Sequence, residues 1–77
     1  MKTKVTAFGY LSEKIGKNNF EIENVPDVFS LKAKLEKEFP GIKGIEYKIA
    51  LNLELVNGNA IIGEGSEVVL LPPFAGG

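Results

Sequence analysis

A single helix-type pattern, bracketed by two prolines, constrains this chain more than any other feature. Its apolar residues recur at three- and four-residue spacing, as in a helix that buries one face: Val28, Leu31, Leu35 and Phe39. Asp27 is a good N-cap, and the Pro40-Gly41 pair predicts a sharp end. Because 77 residues support only one hydrophobic core, this helix and all the other elements of the chain must share that core.

The segments on both sides of this helix carry the patterns of β-strands. Strands are predicted over residues 3–8, 20–25, 60–62 and 67–71, and the most regular alternation, KIALNLELV, predicts one strand over residues 48–56. In that strand four apolar residues are expected to share one face: Ile49, Leu51, Leu53 and Leu55. Residues 9–19 mix glycine, asparagine and charge, so we expect a long loop between the first two strands.

The order of these elements predicts the fold class. One helix that covers one face of a mixed sheet makes an α+β fold. A hairpin, a helix lying across it and a last strand in the middle of the sheet are the parts of a β-grasp fold. We therefore expect a single domain over residues 1–77, with a flexible C-terminal tail over residues 72–77.

Composition excludes several classes of function. Without cysteine or histidine, the chain has no disulfides, no thiolate or imidazole metal site, and no cysteine–histidine or serine–histidine nucleophile. A net charge of -1 argues against nucleic acid and an anionic membrane surface as partners. The sequence has no apolar stretch of about 20 residues and no signal-peptide pattern, so we expect a cytoplasmic protein. Neither a catalytic constellation nor a bound cofactor is expected.

The last six residues, PPFAGG, carry the strongest functional hypothesis. Pro72 and Pro73 must end the last strand and favour an extended arm, which continues through Phe74 and Ala75. Gly76 and Gly77 lack side chains, so this arm can thread a narrow channel and place the Gly77 carboxylate inside another protein. A carboxylate becomes reactive once it is joined to AMP from ATP. The alternative is a frayed terminus, which is how most chains end.

A partner surface is predicted on the outward face of the sheet. If Val68 and Leu70 face the helix, Val69 and Leu71 face away from it, and Phe8 also faces away at the end of the first strand. Together with Phe74 these residues form an apolar patch that leads to the tail. The alternative is that they are singly exposed apolar residues with no partner.

The stretch EGSEVVLLPPFAGG resembles the C-terminal signature of the MoaD family, the small subunits of molybdopterin synthase. KVTAFGYLSEKIG is similar to that family's first strand and following loop, and DVFSLKAKLEKEFP is similar to its helix. ALNLELV resembles the strand that carries an asparagine, here Asn52. The family often has an arginine where this chain has Ser12, and serine carries no charge for a salt bridge with a partner at that position.

The resemblance implies a ubiquitin-like sulfur carrier. A MoeB-like enzyme would use ATP to adenylate Gly77, and a sulfur donor enzyme would convert it to a thiocarboxylate. The tail would then enter the active site of a MoaE-like large subunit and give sulfur to cyclic pyranopterin monophosphate, so that this chain is a non-catalytic subunit. One alternative is an archaeal-type small modifier, joined to lysines or used in tRNA thiolation. A ThiS-type carrier for thiazole synthesis ranks third.

Overall fold

The computed structural model describes residues 2–73 and contains the following elements. Its strands are β1 (Lys2–Ala7), β2 (Asn19–Glu23), β3 (Lys48–Leu51), β4 (Glu54–Val56) and β5 (Glu67–Leu71). Its helices are α1 (Tyr10–Ile15) and α2 (Val28–Glu38), and a short 3-10 helix covers Pro40–Ile42. None of the helices described is long and apolar enough to cross a membrane.

Within residues 2–73, the five strands form one mixed sheet in the order β2-β1-β5-β3-β4. β1 is antiparallel to β2 and parallel to β5, with Val5 opposite Val68 in the parallel pair. β3 is antiparallel to both of its neighbours. The last strand therefore lies in the middle of the sheet, and the β-grasp prediction is confirmed.

The core lies between the sheet and the helices. It is built from inward-facing residues of the sheet and from one side of each α-helix, including Val5, Val68, Leu70, Leu11, Leu31 and Leu35, all of which are at most 1% exposed. α2 begins as predicted, because the Asp27 carboxylate accepts a 2.8 Å hydrogen bond from the Ser30 N–H. This bond, with a second from Asn59, lowers the pKa of Asp27.

The prediction of a loop over residues 9–19 is wrong, because most of this segment forms α1. Leu11 and Ile15 lie four residues apart and both are buried, so the segment contributes one helical face to the core. Gly16 ends the helix in the left-handed conformation, with φ of 93°. The segment was predicted as a loop because glycines, asparagines and charged residues lie within and beside this six-residue helix.

The single strand predicted over residues 48–56 is also wrong, because it is a hairpin of β3 and β4. Asn52 and Leu53 form its two-residue turn, with φ of 50° and 72°, as a type I′ turn requires. Leu53 is consequently 92% exposed, and Leu55 lies opposite Ala50 on the outward face of the sheet. The strand predicted over residues 60–62 is only an isolated bridge between Asp27 and Ile61.

Candidate functional site

The outward face of β5 carries the apolar residues that alternation predicts there. Val68 and Leu70 are 1% and 0% exposed on the inward side, whereas Val69 and Leu71 are partly exposed on the other. Val69 lies opposite Thr6 of β1 and Ala50 of β3. The middle of the outward face is therefore open to a partner and is lined by short or apolar side chains.

Two further apolar residues extend this surface. Phe8 directly follows β1 and is 50% exposed, and its N–H continues the ladder by donating to the Leu70 carbonyl at 3.1 Å. Leu55, on β4, is 49% exposed and lies opposite Ala50. The sequence prediction missed Leu55 because the hairpin, which turns it outward, was not foreseen. We call Phe8, Ala50, Leu55, Val69 and Leu71 the outer patch.

Lysines lie beside this apolar surface. Lys48 of β3 is opposite Leu71, and Lys4 of β1 is opposite Glu67 on the same side of the sheet. Apolar residues with a charged margin are typical of protein interfaces. Ser12 takes no part in this face, since it lies on α1 and its hydroxyl donates to the Gly9 carbonyl at 2.8 Å.

The base of the predicted tail lies at the end of β5. Pro72 follows Leu71 directly and is buried, with its ring beside Gly9. Pro73 is the last residue described, and Phe74, Ala75, Gly76 and Gly77 lie outside the described residues. The predicted roles of these four residues, and of Pro72 and Pro73 in tail insertion, stay predictions.

A groove of about 380 Å³ begins beside Pro73. Its lining combines four charged residues with apolar surface: Lys32, Glu36, Ile45, Glu46, Tyr47, Lys48 and Pro73. Burial, and then the negative charge of Glu36, raise the pKa of Tyr47 to about 12. Within residues 2–73, the buried Tyr47 hydroxyl has no hydrogen-bond partner. The tail base is thus bordered by the outer patch on one side and by this groove on another.

Comparisons with known proteins agree with the fold. A model of the ThiS family matches residues 5–77. A solved complex of subunits 1 and 2 of molybdopterin-converting factor from Helicobacter pylori contains a chain that is 34% identical, with 100% of both chains covered and a TM-score of 0.72. A comparison with curated protein sequences gives no match.

Two more distant structures share the fold. Molybdopterin converting factor subunit 1 from Pyrococcus furiosus is 24% identical, covers 95% of this chain and 98% of its own, and gives a TM-score of 0.88. SAMP1 from Haloferax volcanii is 19% identical, with 100% of both chains covered and a TM-score of 0.82. The same architecture therefore occurs in a protein named molybdopterin converting factor subunit 1 and in one named SAMP1.

Proposed function

This chain belongs to the ThiS family of ubiquitin-like sulfur carriers, and from that premise we propose that it is the sulfur carrier for molybdopterin or tungstopterin synthesis. In this role it is a cosubstrate of a MoeB-like activating enzyme and a non-catalytic subunit of molybdopterin synthase. The placement of the tail base beside the outer patch carries the proposal, because a partner that covers the patch receives the tail.

The H. pylori complex supports the choice of partner. That structure contains subunits 1 and 2 of molybdopterin-converting factor together, and one of its chains is similar to this one along its whole length. We propose a MoaE-like large subunit as the corresponding partner here. The outer patch, with Phe74, is its docking surface, and the tail from Pro72 to Gly77 enters its active site.

The chemistry requires little of the carrier itself. An oxygen of the Gly77 carboxylate attacks the α-phosphorus of ATP on a MoeB-like enzyme, which forms an acyl adenylate and releases pyrophosphate. Hydrosulfide supplied by a donor enzyme then adds to the Gly77 carbonyl carbon, displaces AMP and loses a proton, which leaves a thiocarboxylate. The thiocarboxylate sulfur then bonds to the acceptor, and hydrolysis of the resulting thioester breaks the bond between the Gly77 carbonyl carbon and sulfur, which leaves the sulfur on the acceptor and restores the carboxylate. Glycine at this position suits a confined site because it has no Cβ.

Mass spectrometry tests the carrier role directly. The purified chain is incubated with a MoeB-like enzyme, ATP and a sulfur source. We expect the intact mass to rise by the difference between one sulfur and one oxygen. The matched control is a chain that lacks Gly77, which should keep the thermal midpoint of the full chain and show no mass increase. A full chain that never gains the mass of sulfur for oxygen would contradict the proposal.

A protein modifier is the second candidate, because small archaeal modifier proteins share this fold. In that role the activated Gly77 is joined to lysines of other proteins or serves tRNA thiolation. The two roles are separated by searching cellular proteins for Gly-Gly remnants on lysines that trace to this tail. A thiazole sulfur carrier is the third candidate, and transfer of the sulfur to a thiazole precursor on a thiazole synthase, instead of to cyclic pyranopterin monophosphate, would identify it.

A further inference from the structure

Gly9 occupies a conformation that other residues avoid. It lies between β1 and α1, with φ of 60° and ψ of -140°. Such a backbone conformation is essentially restricted to glycine. A Cβ added to Gly9 would lie 3.1 Å from Cγ of Pro72 and 3.9 Å from its Cδ. The glycine is therefore needed both for its backbone conformation and for the close approach of the proline ring.

The backbone on both sides of this contact is held in place. Before it, the Phe8 N–H donates to the Leu70 carbonyl at 3.1 Å, which ties the end of β1 to β5. After it, the Gly9 carbonyl accepts from the Ser12 N–H at 3.1 Å and from the Ser12 hydroxyl at 2.8 Å. Because Gly9 is fixed by these bonds, a side chain at this position would displace Pro72.

We infer that Gly9 is a positioning residue for the C-terminal tail, and that its contact with Pro72 sets the direction in which the tail leaves the sheet. The functional consequence rests on the sulfur-carrier role proposed above. The two consecutive prolines have fixed φ angles, so few free dihedrals separate the contact from Phe74. A Cβ on Gly9 would require the Pro72 ring to move by a few tenths of an ångström, and this change at the base of the tail alters the direction in which the tail leaves the sheet.

In the activation step, this role affects the reaction and leaves docking to the activating enzyme nearly unchanged. We take the outer patch as the docking surface for that enzyme as well, and its five residues lie on the sheet side of the contact between Gly9 and Pro72, so a displaced tail base leaves the affinity close to its original value. The reacting carboxylate, however, must lie within about 3.5 Å of the phosphorus that it attacks, and a misplacement of about 1 Å can cost a hundredfold in rate. A change at Gly9 is therefore expected to lower kcat and to leave KM nearly constant.

The experiment compares Gly9→Ala with Gly16→Ala. Both variants place alanine at a positive φ, but an added Cβ on Gly16 would meet no atom within 4 Å. The first readout is the set of residual dipolar couplings of the Phe74 and Ala75 N–H groups relative to those of the sheet. We expect Gly9→Ala to change these couplings and Gly16→Ala to leave them as in the unmodified chain. Unchanged couplings in Gly9→Ala would overturn the inference, whether or not the chain carries sulfur.

The second readout is pyrophosphate release by a MoeB-like enzyme as a function of carrier concentration. We expect Gly9→Ala to lower kcat by about tenfold or more, with KM within about twofold, and Gly16→Ala to match the unmodified chain. An equal loss in both alanine variants, or a loss confined to KM, would overturn the inference. Absence of any activation of the unmodified chain would instead contradict the proposed function, while the dipolar couplings still decide the role of Gly9.

Pro72→Ala tests the same contact in case the Gly9→Ala variant does not fold. It removes the ring from the other side of the contact without changing the strained glycine, so kcat is expected to fall while KM holds. Adding Gly9→Ala to Pro72→Ala should then have little further effect, because the two changes disrupt the same contact. Full kcat in Pro72→Ala, or additive losses in the double variant, would overturn the inference.

Discussion

At the residue scale, Tyr47 combines a buried phenol with a nearby negative charge. Burial, and then Glu36, raise its pKa in the folded chain from 10.0 to about 12. The folded state therefore disfavours the phenolate more than the unfolded state does. Below pH 10 the phenol is neutral in both states, so this stabilisation is complete there and is lost as the pH rises towards 12.

Tyr47→Phe should make the free energy of unfolding less dependent on pH. Between about pH 10 and 12 the unmodified chain loses stability as Tyr47 ionises on unfolding, and the variant lacks that contribution. At neutral pH the variant should be at least as stable as the unmodified chain, because the buried Tyr47 hydroxyl has no hydrogen-bond partner within residues 2–73 and its removal loses no bond. Urea unfolding of both proteins across this range measures the difference. Parallel stability curves for the two proteins would show that Tyr47 does not cause the loss.

At the scale of elements, the turn of the β3–β4 hairpin contains Leu53, a residue that is poorly suited to a left-handed backbone conformation. Leu53 has a φ of 72° and is 92% exposed, so it keeps the strain of a left-handed conformation and gains almost no burial. Asn52 is better suited, since its side-chain oxygen accepts a 2.9 Å hydrogen bond from the Glu67 N–H. The hairpin is therefore held by Asn52 and by strand pairing, in spite of Leu53.

Leu53→Gly should stabilise the protein by about 0.5–1 kcal/mol. Glycine relieves about 1–2 kcal/mol of left-handed strain but brings extra entropy to the unfolded chain, which offsets part of the gain. Leu53→Ala is the matched control, because it shortens the side chain and keeps the strain, and it should leave stability within about 0.5 kcal/mol. Thermal or urea unfolding measures both. A gain of equal size in the alanine variant would assign the effect to side-chain removal.

The elements that the sequence predicted well are those with clear ends. β5 lies between the Gly63–Ser66 turn and Pro72, and α2 lies between Asp27 and Pro40, so their bounds could be predicted closely. α1 has only Leu11 and Ile15 as periodic residues, which is too short a pattern to stand out. The β3–β4 hairpin escaped prediction because Asn-Leu is not a usual type I′ pair and the alternation of KIALNLELV continues through the turn.

At the scale of the whole molecule, the sheet separates folding from recognition. Its inward face supplies the core and its outward face carries the outer patch, while β5 contributes to both. The sequence could predict this division from alternation in β5 and from the need for one core. It could not predict the contact between Gly9 and Pro72, because these residues lie at opposite ends of the chain and meet only through the parallel pairing of β1 with β5.

Neighbouring leucines of β5 should therefore respond differently to substitution. Leu70 is 0% exposed in the central strand, so Leu70→Ala is expected to lower the free energy of unfolding by about 3 kcal/mol. Leu71 is partly exposed on the outer patch, so Leu71→Glu should leave most of the stability and weaken binding to a MoaE-like large subunit by tenfold or more. Urea unfolding and calorimetric titration measure the two effects.

Leu53→Glu is the control for Leu71→Glu, since it makes the same change of charge on a leucine that lies outside the outer patch. It should bind the large subunit as the unmodified chain does. If both glutamate variants bind more weakly by the same factor, the loss reflects the net charge and not the patch. If Leu71→Glu binds without loss, the partner docks elsewhere, and the tail would then have to reach the active site from a different direction than the end of β5 suggests.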